Sequence, residues 1–401
     1  MVVPFEVMKT SLIGLPFLGT LVGVTAVAVG CAWRRRRPSV LVRVASGLLI
    51  AVMVGALVND YFAYLPDVGA LVGRRAFDQA SPGDLARRLA LTRTAAESPV
   101  PIRTVGEATR GVVLRVHIPA ARSGFRARPA QVYLPPAYFR SDRPRLPVIE
   151  LLHGTPGAPE DWTRAGWADL AADRLAQHNA GMAPIIVMPD PNGSWWADTE
   201  CVDGHAGRAE TYLTDDVPTW VVATFGADGD RRAWAVAGSS AGGYCALMLG
   251  LRHRDRYSTI VDMAGLDRPT FDGGVRHLFN GDRVAQAAHD PRVLLAARAP
   301  GPPLSAWFEV GSADGAVTSA VRSIAASAAA DGIDVHLEIV PDAHHTWRLF
   351  RRGFEASLPW TAAHIGLPIA STIETRQRNS APTAASNKHR RSGPTHSHRR
   401  R

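Results

Sequence analysis

Residues 233–251 read AWAVAGSSAGGYCALMLGL, and this stretch decides the fold. Residues 233–237 are an apolar run with strand character, and 241–251 have the composition of a helix. Gly238-Ser239-Ser240-Ala241-Gly242 joins them. So short a joint forces a sharp turn, and small residues at 238 and 242 let the two backbones pass closely. Ser240, at the centre, is then held on a strained turn with its hydroxyl exposed. The pentapeptide alone is common; the strand before it and the helix after it give it weight. A Gly/Ser-rich loop without chemistry is the plain alternative.

Outward from this turn the alternation continues. Strand-like runs occur at 111–118, 130–134, 147–152, 184–188, 259–263, 305–310 and 335–340, with helical segments at 168–177, 213–224 and 316–330. A β-rich beginning followed by β-α alternation predicts an α/β architecture. Its central sheet is mostly parallel, flanked by helices, with an antiparallel leading edge.

An alcohol is a poor nucleophile at neutral pH and needs a base. The loop Gly311-Ser312-Ala313-Asp314-Gly315 leaves the C-terminal end of the run 305–310, where open α/β sheets gather their functional groups. The run 335–340 leads into Pro341-Asp342-Ala343-His344-His345-Thr346-Trp347. One of the two histidines is the candidate base, with Asp314 to orient it and to stabilise its charged form. An ordinary turn acid and a structural or metal-binding histidine pair are the competing readings. Asp190 and Asp198 lack the spacing to His or Cys that a metal site requires, so neither metal nor cofactor is expected.

The N-terminal part differs in kind. Residues 11–33 hold no charge, and 44–59 form a second apolar run followed by Tyr61, Phe62 and Tyr64, residues that favour a membrane interface. Two transmembrane helices are expected, at about 11–33 and 44–65, within an anchor covering 1–66. A signal peptide is the alternative for the first run. Its length, the Arg cluster after it and the second apolar run argue against that. Arg34, Arg35, Arg36, Arg37 and Arg43 keep the intervening loop in the cytoplasm, so the catalytic part should be extracytoplasmic. Residues 67–105 read as a linker, 106–365 as the catalytic domain and 366–401 as a disordered basic tail.

The hydrophobic share of 46% is enough for one large core. The net charge of +9 is local: five arginines lie at 34–43 and eight Arg or Lys at 376–401. Setting those thirteen aside leaves −4 for the rest. A mildly acidic domain carries no phosphate-backbone footprint, so nucleic acid is not an expected partner. Three cysteines, Cys31, Cys201 and Cys245, make no disulfide framework. A single Cys201–Cys245 bridge is compatible with an extracytoplasmic domain.

Over about 125–360 the chain resembles the putative esterase family of α/β hydrolases. That family includes esterase D-like, feruloyl and enterobactin esterases and the mycolyltransferases of actinobacterial envelopes. The resemblance is carried by AQVYLPPAY at 130–138, LLHG at 151–154, ETYLTDDV at 210–217, the Ser240 turn and His345-Thr346-Trp347. Family members commonly end in Gly-Gly-His-x-Trp. Here His344 stands at the second glycine, which leaves two imidazoles side by side. The resemblance implies a triad of Ser240, Asp314 and His345, with oxyanion amides from Thr155 and Ala241. It also places the loop ending at Trp162, together with Trp195, Trp196 and Glu210, on the substrate side; core packing is the competing reading for the aromatic rings. The implied function is ester hydrolysis through an acyl-enzyme on Ser240, by a membrane-anchored enzyme. The alternatives are an envelope acyltransferase passing its acyl group to a sugar or lipid acceptor, and a non-catalytic adhesion or scaffold protein. The partner expected in either enzymatic case is an ester, drawn from an envelope lipid or glycolipid if the topology holds.

Overall fold

A computed structural model describes residues 10–34, 39–71, 79–80, 110–140, 142–270, 278–297 and 301–369. The tail from residue 370 onward and most of the stretch read as a linker lie outside the described residues, as do residues 35–38 of the basic loop; 366–369, read as the start of the tail, are described, and Leu367 is buried.

Among the described residues the core is a nine-stranded sheet: β1 (Gln79–Ala80), β2 (Val112–Val116), β3 (Ala130–Leu134), β4 (Val148–Leu152), β5 (Ile185–Met188), β6 (Trp234–Ser239), β7 (Thr259–Met263), β8 (Ser305–Gly311) and β9 (Asp334–Val340). Their order across the sheet is β1-β2-β3-β5-β4-β6-β7-β8-β9. The pairs β2–β3 and β3–β5 are antiparallel, and every pair from β5–β4 to β8–β9 is parallel. This is an α/β-hydrolase-like sheet, mostly parallel with an antiparallel edge. Strands β3 to β7 are buried along their whole length, as strands covered on both faces are, and the polar Gln131, Glu150 and Asp262 within them are buried too. Gln79 and Ala80, within the stretch read as a linker, add a short parallel edge strand beside β2.

Seven helices matter below: α1 (Leu15–Trp33), α2 (Val40–Phe62), α3 (Ala168–Gln177), α4 (Val217–Phe225), α5 (Ala241–Arg252), α6 (Ala316–Ala330) and α7 (Trp347–His364). Helix α5 packs on β6, β7 and β4; α7 packs on β7, β8 and α3. The segment expected as a helix over 213–224 is helical from Ala209 to Phe225, with one wide π-turn at Tyr212–Asp216 before α4. Pro218 has no N–H and belongs in the first turn of a helix, so the regular helix restarts there. Helix α7 runs past Pro359 because Leu358, Thr361 and Ala362 around it are buried. Tertiary packing outweighs the local signal.

The two apolar segments form an antiparallel pair. The Gly14 amide at the start of α1 donates to Asp60 Oδ1 (2.6 Å) near the end of α2, and Ser11 bridges Asp67. Both helices are offset from the expected bounds for local reasons. Helix α1 begins only at Leu15, after Gly14 in a positive-φ conformation and with a proline in its first turn. Helix α2 begins at Val40, where Ser39 caps it by accepting from the Val42 amide (3.4 Å), and so takes in Arg43. It stops at Phe62, since Ala63 is left-handed and Asn59 folds back to take the Leu65 amide (2.7 Å) and carbonyl (2.9 Å). Among the described residues α2 is the one helix long and apolar enough to cross a membrane; α1 offers the shorter apolar stretch 15–30. Two spans were expected, and one helix meets the requirement.

Candidate active site

The chain turns at Ser240 between β6 and α5. Ser240 sits at φ 55°, ψ −125°, outside the regions a non-glycine residue prefers. Its amide donates to the Met263 carbonyl (3.0 Å), and its carbonyl accepts from the amides of Gly243 (2.9 Å) and Tyr244 (3.1 Å), which opens α5. The flanking glycines are steric necessities. A Cβ on Gly238 would lie 2.1 Å from the Gly242 carbonyl oxygen, and one on Gly242 would lie 2.4 Å from that of Leu152. Ala241 is the first residue of α5, so its amide has no carbonyl one turn earlier in the helix to bond. Beneath the turn, Asp262 Oδ1 accepts from the Gly265 amide (2.7 Å), and burial pushes this carboxyl up to about 7.

Asp314 leaves the C-terminal end of β8, and His345 follows β9. The His345 Nδ1–H donates to Asp314 Oδ2 (2.7 Å), and Nε2 accepts from Ser240 Oγ (2.9 Å). A carboxylate can only accept, so it fixes the proton on Nδ1 and leaves the Nε2 lone pair for the serine hydroxyl. Phe350 meets the His345 ring edge to face, at 5.0 Å between centroids. The neighbouring His344 turns the other way and tilts against Tyr61 at 5.8 Å. The structure therefore brings Ser240, Asp314 and His345 together and leaves His344 out.

The loop after β4 passes directly over the serine: a Cβ on Gly154 would lie 3.1 Å from Ser240 Cβ. A buried ion cluster orders this loop. Arg128 donates to Asp190 through Nε (2.9 Å) and Nη2 (2.7 Å) and to the Gly157 carbonyl (3.0 Å); His153 approaches the same carboxylate at 3.4 Å. Burial disfavours the charge on Asp190. Arg128 and His153 outweigh that and hold its carboxyl well below the usual range. Asn192 then donates to Thr155 Oγ1 (2.9 Å). Asp190 thus orients the Thr155 loop. The structure also joins Cys201 to Cys245, tying the 190–204 connection to α5.

Ser240, His345, Thr155 and Trp195 line a cavity of about 490 Å³. Three of the residues expected on the substrate side are not there. Trp162 is fully buried, donates Nε1–H to the Leu152 carbonyl (2.9 Å) and packs on Trp347 and Phe354 behind the wall. Trp196 is 79% exposed and outside the cavity. Glu210 is buried and accepts from Arg252 Nε (2.7 Å), His253 Nε2 (2.7 Å) and His289 Nε2 (2.9 Å). Burial opposes its ionisation, but the bonds from His253, His289 and Arg252 prevail and hold its carboxyl well below the usual range. Its role is to brace the π-turn against α5. Sequence reasoning also missed residues that do line the cavity, among them Asn59, Phe62 and Tyr64, which lie in the stretch read as the end of a membrane helix and its interface.

The family model described as Putative esterase matches residues 125–361. An uncharacterized protein of Corynebacterium glutamicum is 33% identical over 255 residues, 62% of this chain and 60% of that protein, so the match spans less than two thirds of the relative's own length. Two solved structures share the fold. One is an S-formylglutathione hydrolase of Agrobacterium tumefaciens (TM-score 0.55, 20% identity, 65% of this chain and 97% of that one). The other is a fluorophosphonate-binding serine hydrolase of Staphylococcus aureus (TM-score 0.53, 18% identity, 63% and 99%). The matched span coincides with the stretch whose motifs carry the resemblance, and the chain belongs to the putative esterase family.

Proposed function

We propose that the protein is a membrane-anchored serine esterase that cleaves a carboxylic ester through an acyl-enzyme on Ser240. The observation that carries this reading is the relay from Asp314 through His345 to Ser240, with both hydrogen bonds short and the serine opening on a cavity. Ser240 Oγ attacks the ester carbonyl while its proton moves to His345 Nε2. The tetrahedral oxyanion is held by the amides of Thr155 and Ala241. Collapse breaks the bond to the alcohol oxygen, which leaves with the proton from His345. Water then attacks the acyl-enzyme, gives its proton to His345, and the acid departs as Ser240 recovers its proton. Each oxyanion donor contributes about 2.7–4 kcal/mol in comparable sites.

Membrane anchoring is supported by α2, whose Leu48, Ile50, Val52 and Leu57 are exposed, a state tolerated in lipid and costly in water. The arginine-rich loop lies at one end of the helix pair and the catalytic domain at the other. That arrangement and the Cys201–Cys245 bridge favour an extracytoplasmic catalytic domain on a two-pass anchor.

The apolar lining of the cavity, from Phe62, Trp195, Trp347 and Phe350, favours a second reading. A site that excludes water lets an acceptor alcohol compete for the acyl-enzyme, which makes the protein an acyltransferase. One experiment addresses both. Full-length protein is labelled with a fluorophosphonate and assayed on a 4-nitrophenyl ester with and without a sugar acceptor. Ser240→Ala should abolish labelling and turnover while leaving the thermal transition in place. Retention of labelling in that variant would refute the nucleophile. Acylated sugar in place of free acid would favour transfer.

A further inference from the structure

One wall of the cavity is made by the membrane helix itself. Gly55, Val58, Asn59 and Phe62 of α2 line it together with Ser240 and His345. Spacings of three and four residues put these positions on one face of the helix. The other side of the same turns carries Leu57 and Tyr61, both exposed. The same two turns therefore face the surroundings on one side and the nucleophile on the other.

The polar residue in this wall is already occupied. Asn59 Nδ2 donates to the carbonyls of Leu65 (2.9 Å) and Leu12 (3.4 Å), and Oδ1 accepts from the Leu65 amide (2.7 Å). What α2 offers a substrate is apolar. Depth follows from helix geometry. The 23 residues of α2 span about 34 Å against a hydrocarbon core of about 30 Å, and Gly55 lies about 10 Å along the axis from Phe62. With Tyr61, Phe62 and Tyr64 at the outer interface, the Gly55 end of the cavity sits at the level of the lipid tails.

We propose that this cavity takes the acyl chain of a membrane-lipid ester, which slides in from the outer leaflet along Gly55, Val58 and Phe62. Helix α2 is then a specificity-determining part of the site. The proposal rests on Ser240 being the nucleophile, and its test separates the two.

Gly55 is the point of attack, because a Cβ built there meets nothing within 4 Å; Gly47, outside the cavity, is equally open and serves as control. Full-length protein in phosphatidylglycerol vesicles is assayed on 4-nitrophenyl palmitate and 4-nitrophenyl acetate, with fluorophosphonate labelling of each variant as a check on the folded site. The readout is the palmitate-to-acetate ratio of kcat/KM. Wild type should favour palmitate. Gly55→Trp should lower the ratio at least tenfold, and Gly47→Trp should not. Val58→Phe provides a second obstruction should Gly55→Trp fail to label. The proposal is overturned if wild type labels but shows no preference for palmitate, or if obstructed variants that still label keep the wild-type ratio. Absence of labelling in wild type would instead sink the Ser240 reading.

Discussion

Tyr64→Phe removes one oxygen atom and tests whether the segment after α2 is docked on the hydrolase fold as described. The Tyr64 hydroxyl donates to Asp161 Oδ1 (2.5 Å) and accepts from Arg164 Nη1 (3.3 Å). Asp161 is 1% exposed, and its other oxygen holds the Ala158 amide (2.8 Å) in the loop that passes over Ser240. A hydrogen bond to a charged group contributes about 1.5–3 kcal/mol, so the variant should lose about 2 kcal/mol. For a domain of this size that is a fall in Tm of about 4–8 °C. The penalty depends on pH. Burial raises the Asp161 carboxyl, and the bond from Tyr64 is the largest influence pulling it back. A carboxyl with a raised folded pKa favours the folded state below its unfolded value, and that advantage is lost as pH rises through the folded value. Losing the phenol raises Asp161 further, so the penalty is greatest near neutral pH and shrinks as Asp161 takes up a proton in acid. The assay is a double-mutant cycle of Tyr64→Phe and Asp161→Asn on the detergent-solubilised full chain, melted across that pH range. A coupling of about 1–2 kcal/mol near neutral pH is expected. Full additivity, or a Tm within about 1 °C of wild type, would show that residues 60–65 do not rest on the domain.

Replacing His345 with Ala should lower kcat on a soluble ester by about 10⁴-fold or more, whereas His344→Ala should cost a few-fold at most, because His344 meets Tyr61 and not Ser240. Steady-state kinetics on the two variants decides it, and the reverse ranking would move the base by one residue. For topology, a reporter active only in the cytoplasm should work when fused after Arg37 and fail when fused after Arg75. Cytoplasmic activity at the second junction would overturn the extracytoplasmic assignment.

What the sequence made legible was local or ordered along the chain. The Ser240 turn is written in five adjacent residues, and the strands of the parallel sheet are predominantly apolar runs that can be read without their neighbours. Asp314 and His345 each follow such a run, so chain order alone pointed to the end of the sheet where the structure brings them beside Ser240. Glu210 was misread because its partners, Arg252, His253 and His289, lie 42 to 79 residues further on. Trp162 was misread because an indole in a loop looks the same whether its N–H faces a ligand or the Leu152 carbonyl. The α2 wall left the weakest trace. An apolar helix has one composition whether its side chains meet lipid or substrate, and Gly55 contributes by having no side chain at all.

A tether needs only a hydrophobic span and a flexible link, and the end of α2 is built otherwise. Asp60 accepts from the Gly14 amide (2.6 Å) and from Arg348 Nη2 (3.3 Å), and Arg348 lies in the first turn of α7, three residues after His345. Arg351, one turn further on, ties α7 to the loop before α3 in two ways: its Nε donates to the Ala165 carbonyl (2.8 Å), and its guanidinium stacks over Trp167 (3.9 Å). The helix pair is thus clamped to the element that follows the base, and that element is itself fixed to the domain. On the proposed lipid-ester reading, the energetics of the substrate give this rigidity a purpose. Drawing an acyl chain from a bilayer into water costs about 0.8 kcal/mol per methylene, so a long chain released into solvent would face a barrier of about 10 kcal/mol before any chemistry. A wall continuous with the bilayer lets the chain exchange one apolar contact for another along the way. That exchange works only while the wall keeps its register with Ser240, and a loose tether would lose it with every fluctuation. Bonds from Asp60 and Tyr64, at the C-terminal end of α2 and just beyond it, hold that register.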